Sequence, residues 1–161
     1  MNYNDTAQVC LEGHVTNPGM RTLPDRSRRR CERCGSETIT NCPLCNHSIR
    51  GGYCREYFTG TQVYGPESAP PFCEGCGQPF PWTKSRLEAA KDLAGQLELD
   101  IPERVLLERT IDEIIRDTPR APAEAVRFKA IVEKAKPWAL GAFKEIPIGV
   151  VSESLKKVIW P

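Results

Sequence analysis

The sequence lacks an excess of either charge and contains no long apolar run. Its 161 residues carry 22 Lys and Arg against 21 Asp and Glu, which excludes a bulk field that would gather nucleic acid or acidic membrane. No segment reaches the roughly 18 apolar residues of a membrane span. The polar residues 1–6 have neither the basic stretch nor the apolar run of a secretory leader. We therefore expect a cytoplasmic protein without a transmembrane segment.

Histidine is scarce, and the motifs of the common zinc enzymes are missing. The chain has two His, no His-Glu-x-x-His helix and no His-x-Glu paired with Pro-Cys-x-x-Cys. No Gly-rich phosphate loop follows a strand pattern. We expect no enzymatic activity; the alternative is a zinc-dependent hydrolase or transferase that leaves one coordination position open.

Cysteine, in contrast, is abundant, and its spacing is typical of metal sites. Six of the eight Cys form Cys-x-x-Cys pairs, namely Cys31/Cys34, Cys42/Cys45 and Cys73/Cys76. Two intervening residues let one tight turn direct both sulfurs at a single ion. Disulfides would need an oxidising compartment, so the pattern predicts bound metal.

Two closed sites of four ligands need one more pair than these three motifs supply. The segment Cys-Leu-Glu-Gly-His at residues 10–14 provides it. Pairing in chain order predicts two structural Zn²⁺ ions, because it closes loops of moderate length without threading. The first site would be Cys10, His14, Cys31 and Cys34, and the second Cys42, Cys45, Cys73 and Cys76.

Alternatives for the pairing and for the histidine ligand stay open at this point, and one cysteine remains outside the sites. Cys31/Cys34 could instead pair with Cys42/Cys45 across the seven residues between them. His14 could be only a polar turn residue after Gly13. We expect His47 to be a strand surface residue, which would replace His14 as a ligand only if the pairing were different. Cys54 lies outside the pairs, and we expect it to be a small, half-buried thiol on a strand.

Residues 41–53 predict a knuckle leading into a strand, and residues 70–77 a returning strand that ends in a second knuckle. Gly35 and Gly77 directly follow a second Cys, where such turns can require a positive φ. Residues 8–82, with Cys-Leu-Glu-Gly-His-Val, Cys-Glu-Arg-Cys-Gly-Ser and Cys-Gly-Gln-Pro-Phe-Pro-Trp, resemble tandem zinc ribbons. The whole chain is similar to an uncharacterised bacterial family, a domain of unknown function with two N-terminal ribbons and a helical C-terminal part. The resemblance implies a fold and metal ligands but no activity.

Helical patterns begin after Trp82, where the cysteines end. A capping box at Ser85 predicts a helix over about residues 85–98. Asp100 and Pro102 begin a second helix, which Pro119 ends, and Pro122 begins a third that runs to about residue 136. The inward faces of the last two are predicted to be Leu107, Ile111, Ile114 and Ile115, and Ala125, Phe128, Val132 and Ala135.

The prediction for the fold class is a small metal-bound α+β protein. Residues 1–82 form a tandem zinc-ribbon region of short β-hairpins and knuckles, with sites at about 8–37 and 40–80. Residues 83–161 form an α-helical region. Its most apolar pieces, residues 138–143 and 146–151, are expected to cover the helical core; self-association and contact with a membrane surface are the alternatives.

These features predict a zinc-binding adaptor or interaction module with a protein partner. It would present the loop containing Arg26, Arg28, Arg29 and Arg30, together with the 55–70 segment. The alternative is nucleic-acid binding through that loop and the basic tail, since residues 120–161 have a net charge of +4. Seven thiolates and two Zn²⁺ would change residues 1–84 from +1 to about −2, which disfavours a strongly basic N-terminal face.

Overall fold

The computed structural model describes residues 2–145 and 151–161. The chain divides into two compact units, Met1–Lys84 and Ser85–Pro161. None of the described helices is long and apolar enough to cross a membrane.

The first unit contains two antiparallel sheets of three short strands each. The strands are β1 (Tyr3–Thr6), β2 (Gln8–Cys10), β3 (Val15–Asn17), β4 (Thr38–Ile39), β5 (Arg50–Tyr57) and β6 (Gly60–Tyr64). One sheet has the order β1-β5-β6 and the other β3-β2-β4. Strand β1 precedes every cysteine, yet it pairs with the strand that follows the Cys42/Cys45 knuckle. The two ribbons therefore share the N-terminal segment and do not simply follow each other along the chain.

The predicted strand that returns to the third knuckle lies earlier in the chain than expected. The strand after residue 41 is β5, but its returning partner is β6 and not residues 70–72. Pro70 and Pro71 have no N–H to donate to a sheet, and this stretch contributes only an isolated bridge between Phe72 and Pro79.

A buried carboxylate fixes β1 against the loop that follows β3. Asp5 is 3% exposed and accepts hydrogen bonds from the backbone N–H groups of Thr6, Arg21 and Thr22, and from the Thr22 hydroxyl at 2.8 Å. Burial raises the pKa of Asp5, but these hydrogen bonds outweigh it and hold the pKa below its usual value. The N-terminal strand is thus joined to residues 21–22.

Two glycines allow neighbouring loops to lie directly on β5. A Cβ at Gly51 would be 2.5 Å from the carbonyl oxygen of Pro18, and one at Gly52 would collide with the carbonyl oxygen of Gly65. Any side chain here would push these loops off the sheet.

The core of the first unit is small and includes two of the cysteines. Its buried residues are Ala7, Val9, Cys42, Ile49, Ala69, Cys73, Phe80 and Trp82. Trp82 stacks on Phe80 with the ring centroids 4.6 Å apart, and its indole N–H donates to the carbonyl of Pro70. A core of this size is at the limit of what folds without a metal or disulfide.

The helices are α1 (Pro81–Gly95), α2 (Ile101–Ile115), α3 (Ala121–Ala135), α4 (Ala139–Glu145) and α5 (Glu153–Ile159). The second and third predicted helices are confirmed. Asp100 is the N-cap of α2, because its side chain accepts a hydrogen bond from the Glu103 N–H at 2.8 Å.

The predicted start of α1 at Ser85 is wrong, because the helix begins four residues earlier at Pro81. Proline suits the first turn of a helix, where its missing N–H has no intrahelical acceptor. The Thr83 hydroxyl donates to the carbonyl of Pro71 at 2.7 Å, and Trp82 is buried. The first turn is therefore held by the ribbon core.

The predicted inward faces of α2 and α3 are buried, except that Ala135 is only half-buried. Phe143 of α4 meets Phe128 edge-on at 5.1 Å, and the Trp160 indole N–H donates to the carbonyl of Leu140. Of the two apolar tail pieces, the first is buried at Ala139 and Phe143, while Trp138 is exposed. Residues 146–150 of the second piece lie outside the described residues.

Candidate metal centres

The three Cys-x-x-Cys segments share one backbone conformation. In each, the N–H of the first Cys donates to the carbonyl five residues later, and the residue after the second Cys donates back to the carbonyl of the first. The bonds are 2.8–2.9 Å long. They join Cys31 to Ser36 and Gly35, Cys42 to His47 and Asn46, and Cys73 to Gln78 and Gly77.

The residue after the second Cys has a positive φ in all three knuckles. Gly35 and Gly77 have φ values of +75° and +71°, as the sequence analysis expects. Asn46 takes the same position with φ +62°, which was not predicted. Asn is one of the few residues besides Gly that adopts this conformation readily. Asn46 follows Cys45 just as Gly35 follows Cys34, and this equivalence could have predicted its positive φ from the sequence.

The segment from Cys10 to His14 is a related turn. The Cys10 N–H donates to the His14 carbonyl at 3.0 Å, and the Gly13 N–H donates to the Cys10 carbonyl at 2.8 Å. Gly13 has φ +87°, and a Cβ there would lie 2.9 Å from Trp82. Only glycine fits between this turn and the buried tryptophan.

This turn meets the first knuckle to form a cluster of three sulfurs and one imidazole nitrogen. The four donor atoms of Cys10, His14, Cys31 and Cys34 lie within 4.8 Å of one another. His14 Nδ1 is 3.5 Å from the Cys10 sulfur and 3.6 Å from the Cys31 sulfur, and the Cys10 and Cys34 sulfurs are 3.7 Å apart. The structure thus brings together the four residues predicted for the first site.

The other two knuckles meet in a cluster of four sulfurs. Cys42 lies 3.9 Å from Cys76, and Cys45 lies 3.6 Å from Cys73, with all four sulfurs within 4.8 Å of one another. A disulfide would require about 2.05 Å, and all the cysteines are free thiols. The grouping follows chain order, and the alternative that joins Cys31/Cys34 to Cys42/Cys45 is wrong.

The two remaining candidate ligands lie outside both clusters. His47 is exposed and approaches Glu74 at 3.4 Å. Cys54 is fully buried on β5, with its sulfur 3.4 Å from the Thr22 hydroxyl and 3.9 Å from an Asp5 oxygen. Its complete burial differs from the half-buried position expected, because Thr22 in the loop that follows β3 and the Asp5 side chain lie against its sulfur.

Backbone N–H groups in the knuckles favour thiolates. The backbone N–H and hydroxyl of Ser36 lower the pKa of Cys34 to about 6. The N–H groups of Cys45 and Leu44 lower the pKa of Cys42 to about 7. The thiolate is the form that binds a metal ion, so these knuckles supply part of the charge stabilisation that ligation needs.

The four sulfurs of the second cluster cannot all be thiolates without a cation. The N–H of His47 lowers the pKa of Cys45, but burial and hydrogen bonds with Cys73, Cys76 and Cys42 outweigh it and raise that pKa to about 12. A divalent ion reverses this effect by deprotonating the thiols that coordinate it. The donors and their spacing therefore suit a metal ion in each cluster.

The chain belongs to DUF2321, an uncharacterized protein family conserved in bacteria, whose family model matches residues 3–159. No curated protein and no solved structure matches the chain. The family match covers both clusters and the five helices of the described residues, and it confirms the resemblance seen in the sequence.

We expect native mass spectrometry to find two divalent ions per chain. Cys42→Ser should remove one ion, because three donors remain in its cluster, whereas the control Cys54→Ser should leave both ions bound. One ion in the wild-type protein, or none together with disulfides, would contradict the two-site account.

We expect Gly13→Ala to weaken one ion selectively, because the new Cβ must both adopt a positive φ and displace Trp82. Strain and crowding together should lower the affinity of that ion by about tenfold or more, measured by transfer to a chromogenic chelator. Gly35→Ala is the control, since it has the same φ strain but no atom within 4 Å of the added Cβ. Equal release from the two variants would show that the contact with Trp82 is unimportant.

Proposed function

We propose that this member of a bacterial family without an assigned activity is an interaction module folded by two structural zinc ions, and that it binds a protein partner. Zinc is favoured by the donor sets, three thiolates with one imidazole and four thiolates, which are the ligands of closed structural zinc sites.

The spacing of the donor atoms supports zinc. Bonds of about 2.3 Å to sulfur and about 2.0–2.1 Å to nitrogen put the sulfurs of a tetrahedral site about 3.8 Å apart, and sulfur and nitrogen about 3.6 Å apart. Three of the sulfur pairs, Cys10/Cys34, Cys42/Cys76 and Cys45/Cys73, are 3.6–3.9 Å apart, and the His14 nitrogen lies 3.5 and 3.6 Å from two sulfurs.

Four protein donors in each cluster favour a structural role over catalysis. A catalytic zinc keeps one position for water or substrate and is usually held by three protein ligands. Catalysis at either cluster would require one of its four donors to leave the ion. We therefore propose that the zinc ions stabilise the fold.

The β5–β6 hairpin carries the proposal of a protein partner, because it exposes a cluster of aromatic side chains. Tyr53, Tyr57 and Tyr64 are exposed by 40–48%, and Phe58 at the turn is fully exposed. Tyr53 and Tyr64 are cross-strand neighbours, and the Tyr57 and Tyr64 hydroxyls are 3.3 Å apart. Tyrosine and phenylalanine are enriched in the buried centres of protein interfaces.

The hairpin also offers a free strand edge. Strand β6 is the last in the order β1-β5-β6, so one side of its backbone has no strand partner among the described residues. An extended peptide can add to such an edge while its side chains contact the adjacent face. Arg55 lies on the same face of β5 as Tyr53 and Tyr57, so we propose an extended partner segment with apolar and acidic side chains.

The nucleic-acid alternative is less well supported, because the arginines do not form one continuous basic surface. Arg29 lines a different hollow from Arg26, Arg28 and Arg30, and Arg21 is paired with Asp5 and lies over Tyr3. A groove that follows a nucleic-acid backbone requires a continuous stripe of positive charge.

The test uses a photo-crosslinking amino acid at Phe58 in the full-length protein, with the same amino acid at exposed Ile101 of α2 as the control. We expect one protein to be captured from position 58 only. The purified partner should then bind about 30-fold more weakly to Tyr57→Ala, the loss typical of an interface hot spot, while both zinc ions are retained. Equal capture from both positions, capture of nucleic acid, or unchanged affinity of Tyr57→Ala would contradict the proposal.

A further inference from the structure

A cavity of about 280 Å³ lies against the first cluster and is lined by four arginines. These are Arg26, Arg28, Arg30 and Arg33, with Glu32 as the one acidic side chain and with His14 and Cys31 in the wall. The cavity is close to the lower limit of about 300 Å³ for small-molecule sites. It therefore suits a compact ligand.

The structure separates residues that are adjacent in sequence. Arg29 belongs to the same basic run but does not line this cavity. Arg33 lies outside the run, between Cys31 and Cys34, and the knuckle brings it to the cavity. The sequence could not identify the four that converge.

The backbone of the arginine loop is held in place by side chains of the second sheet. The Gln8 side-chain oxygen accepts a hydrogen bond from the Arg28 N–H at 2.9 Å. The Thr38 hydroxyl donates to the Arg28 carbonyl, and the Thr38 N–H donates to the Arg29 carbonyl at 3.3 Å. The loop is therefore positioned before any ligand binds, which lowers the entropic cost of binding.

Two of the four guanidinium groups are also oriented. Arg28 donates to the carbonyls of Asp25 and Ser27 at 2.8 Å, and Arg30 donates to the carbonyl of Gly35 at 3.1 Å. Each guanidinium has five N–H donors, so these contacts fix the groups and leave most of their donors for a ligand.

The other two guanidinium groups have no partner in the part of the chain that the structure describes. Among the described residues, Arg26 and Arg33 make no hydrogen bond or ion pair with another side chain. Four arginines against Glu32 give the lining side chains a charge of +3. A zinc ion with three thiolates would add −1 and leave the lining at about +2, and Glu37 outside the lining pairs with Arg30 at 3.8 Å and offsets part of this charge. The net positive charge favours an anion.

We propose that this cavity is a binding site for a phosphate monoester. A phosphoryl group carries about −1.5 to −2 charges and three acceptor oxygens, and arginine binds it through paired N–H groups. A single carboxylate offers half the charge, and nucleic acid would need basic residues beyond this confined cavity. The inference does not depend on the partner proposed for the hairpin.

The monoester could belong to a small metabolite or to a phosphorylated side chain of a protein, and the test includes both. Zinc-loaded full-length protein is titrated with glycerol phosphate, with a short phosphoserine peptide, and with its unphosphorylated form, using calorimetry. Metal content is measured before and after each titration. We expect either phosphate compound to bind at least tenfold more tightly than the unphosphorylated peptide, and the tighter of the two identifies the source.

The deciding variants are Arg26→Gln with Arg33→Gln, because these two arginines have no role in holding the loop. We expect the double variant to lose at least tenfold in affinity for the phosphate compound and to keep both zinc ions. Arg29→Gln is the control for the charge of the loop, since it removes one of the two positive charges that the double variant removes, but from outside the cavity. It should change affinity less than twofold.

Three results would overturn the proposal. Equal weakening by Arg29→Gln would show only non-specific attraction to the loop. Loss of zinc from the double variant would show that the arginines serve to stabilise the thiolates of the cluster. Tighter binding of an unphosphorylated acidic peptide or of an oligonucleotide without a terminal phosphate would assign the cavity to another class of ligand.

Discussion

The first unit depends on the closeness of four metal-donor atoms in each of two clusters. Three sulfurs and an imidazole nitrogen, or four sulfurs, lie within 4.8 Å of one another, and thiolate charges at this distance would repel strongly in a partly buried site. The apolar core beside them is small, and two of its buried residues are themselves cysteines. A divalent ion in each cluster would replace this repulsion with bonds that close the fold, and a structural zinc site contributes on the order of 10 kcal/mol or more.

The two clusters of donor atoms also set the positions of the surfaces proposed to bind ligands. The arginine cavity includes His14 and Cys31 of the first cluster and Arg33 from within its knuckle. The aromatic hairpin begins at residue 50, directly after the Cys42/Cys45 knuckle. A metal ion in each cluster would hold both ends of the loops that carry these surfaces, so that a protein with little core could present them in fixed conformations.

Features set by residues close together in the sequence were predictable, whereas contacts between distant segments were predictable only in part. The Cys-x-x-Cys spacing identified the three knuckles, and the periodicity of Leu107, Ile111 and Ile114 identified the buried face of α2. The pairing of β1 with β5 was missed, because four polar residues before the first cysteine show no strand alternation. It depends on the buried carboxylate of Asp5, which becomes satisfied only once the chain has folded. Similarly, Ser85 looks like a helix cap in isolation, but packing of Trp82 moves the start of α1 to Pro81.

The candidate metal clusters could likewise be predicted from the sequence, and the arginine cavity could not. The eight residues of the two clusters follow from spacing and from the four-ligand rule, since metal geometry restricts the choices. The arginine cavity does not, because the position of Arg29 depends on a loop conformation that hydrogen bonds with Gln8 and Thr38 hold, and Arg33 reaches the cavity from the Cys31/Cys34 knuckle.

The most direct test of this account is ¹¹³Cd NMR of the protein with cadmium in place of its metal. Through-bond correlations between each cadmium and the cysteine β-protons identify the ligands of each ion. The account predicts two resonances, one correlated with Cys42, Cys45, Cys73 and Cys76, and one at lower frequency correlated with Cys10, Cys31 and Cys34 together with a nitrogen ligand. A single resonance, a correlation that places Cys31 and Cys42 on one ion, or an oxygen ligand at either ion would contradict it.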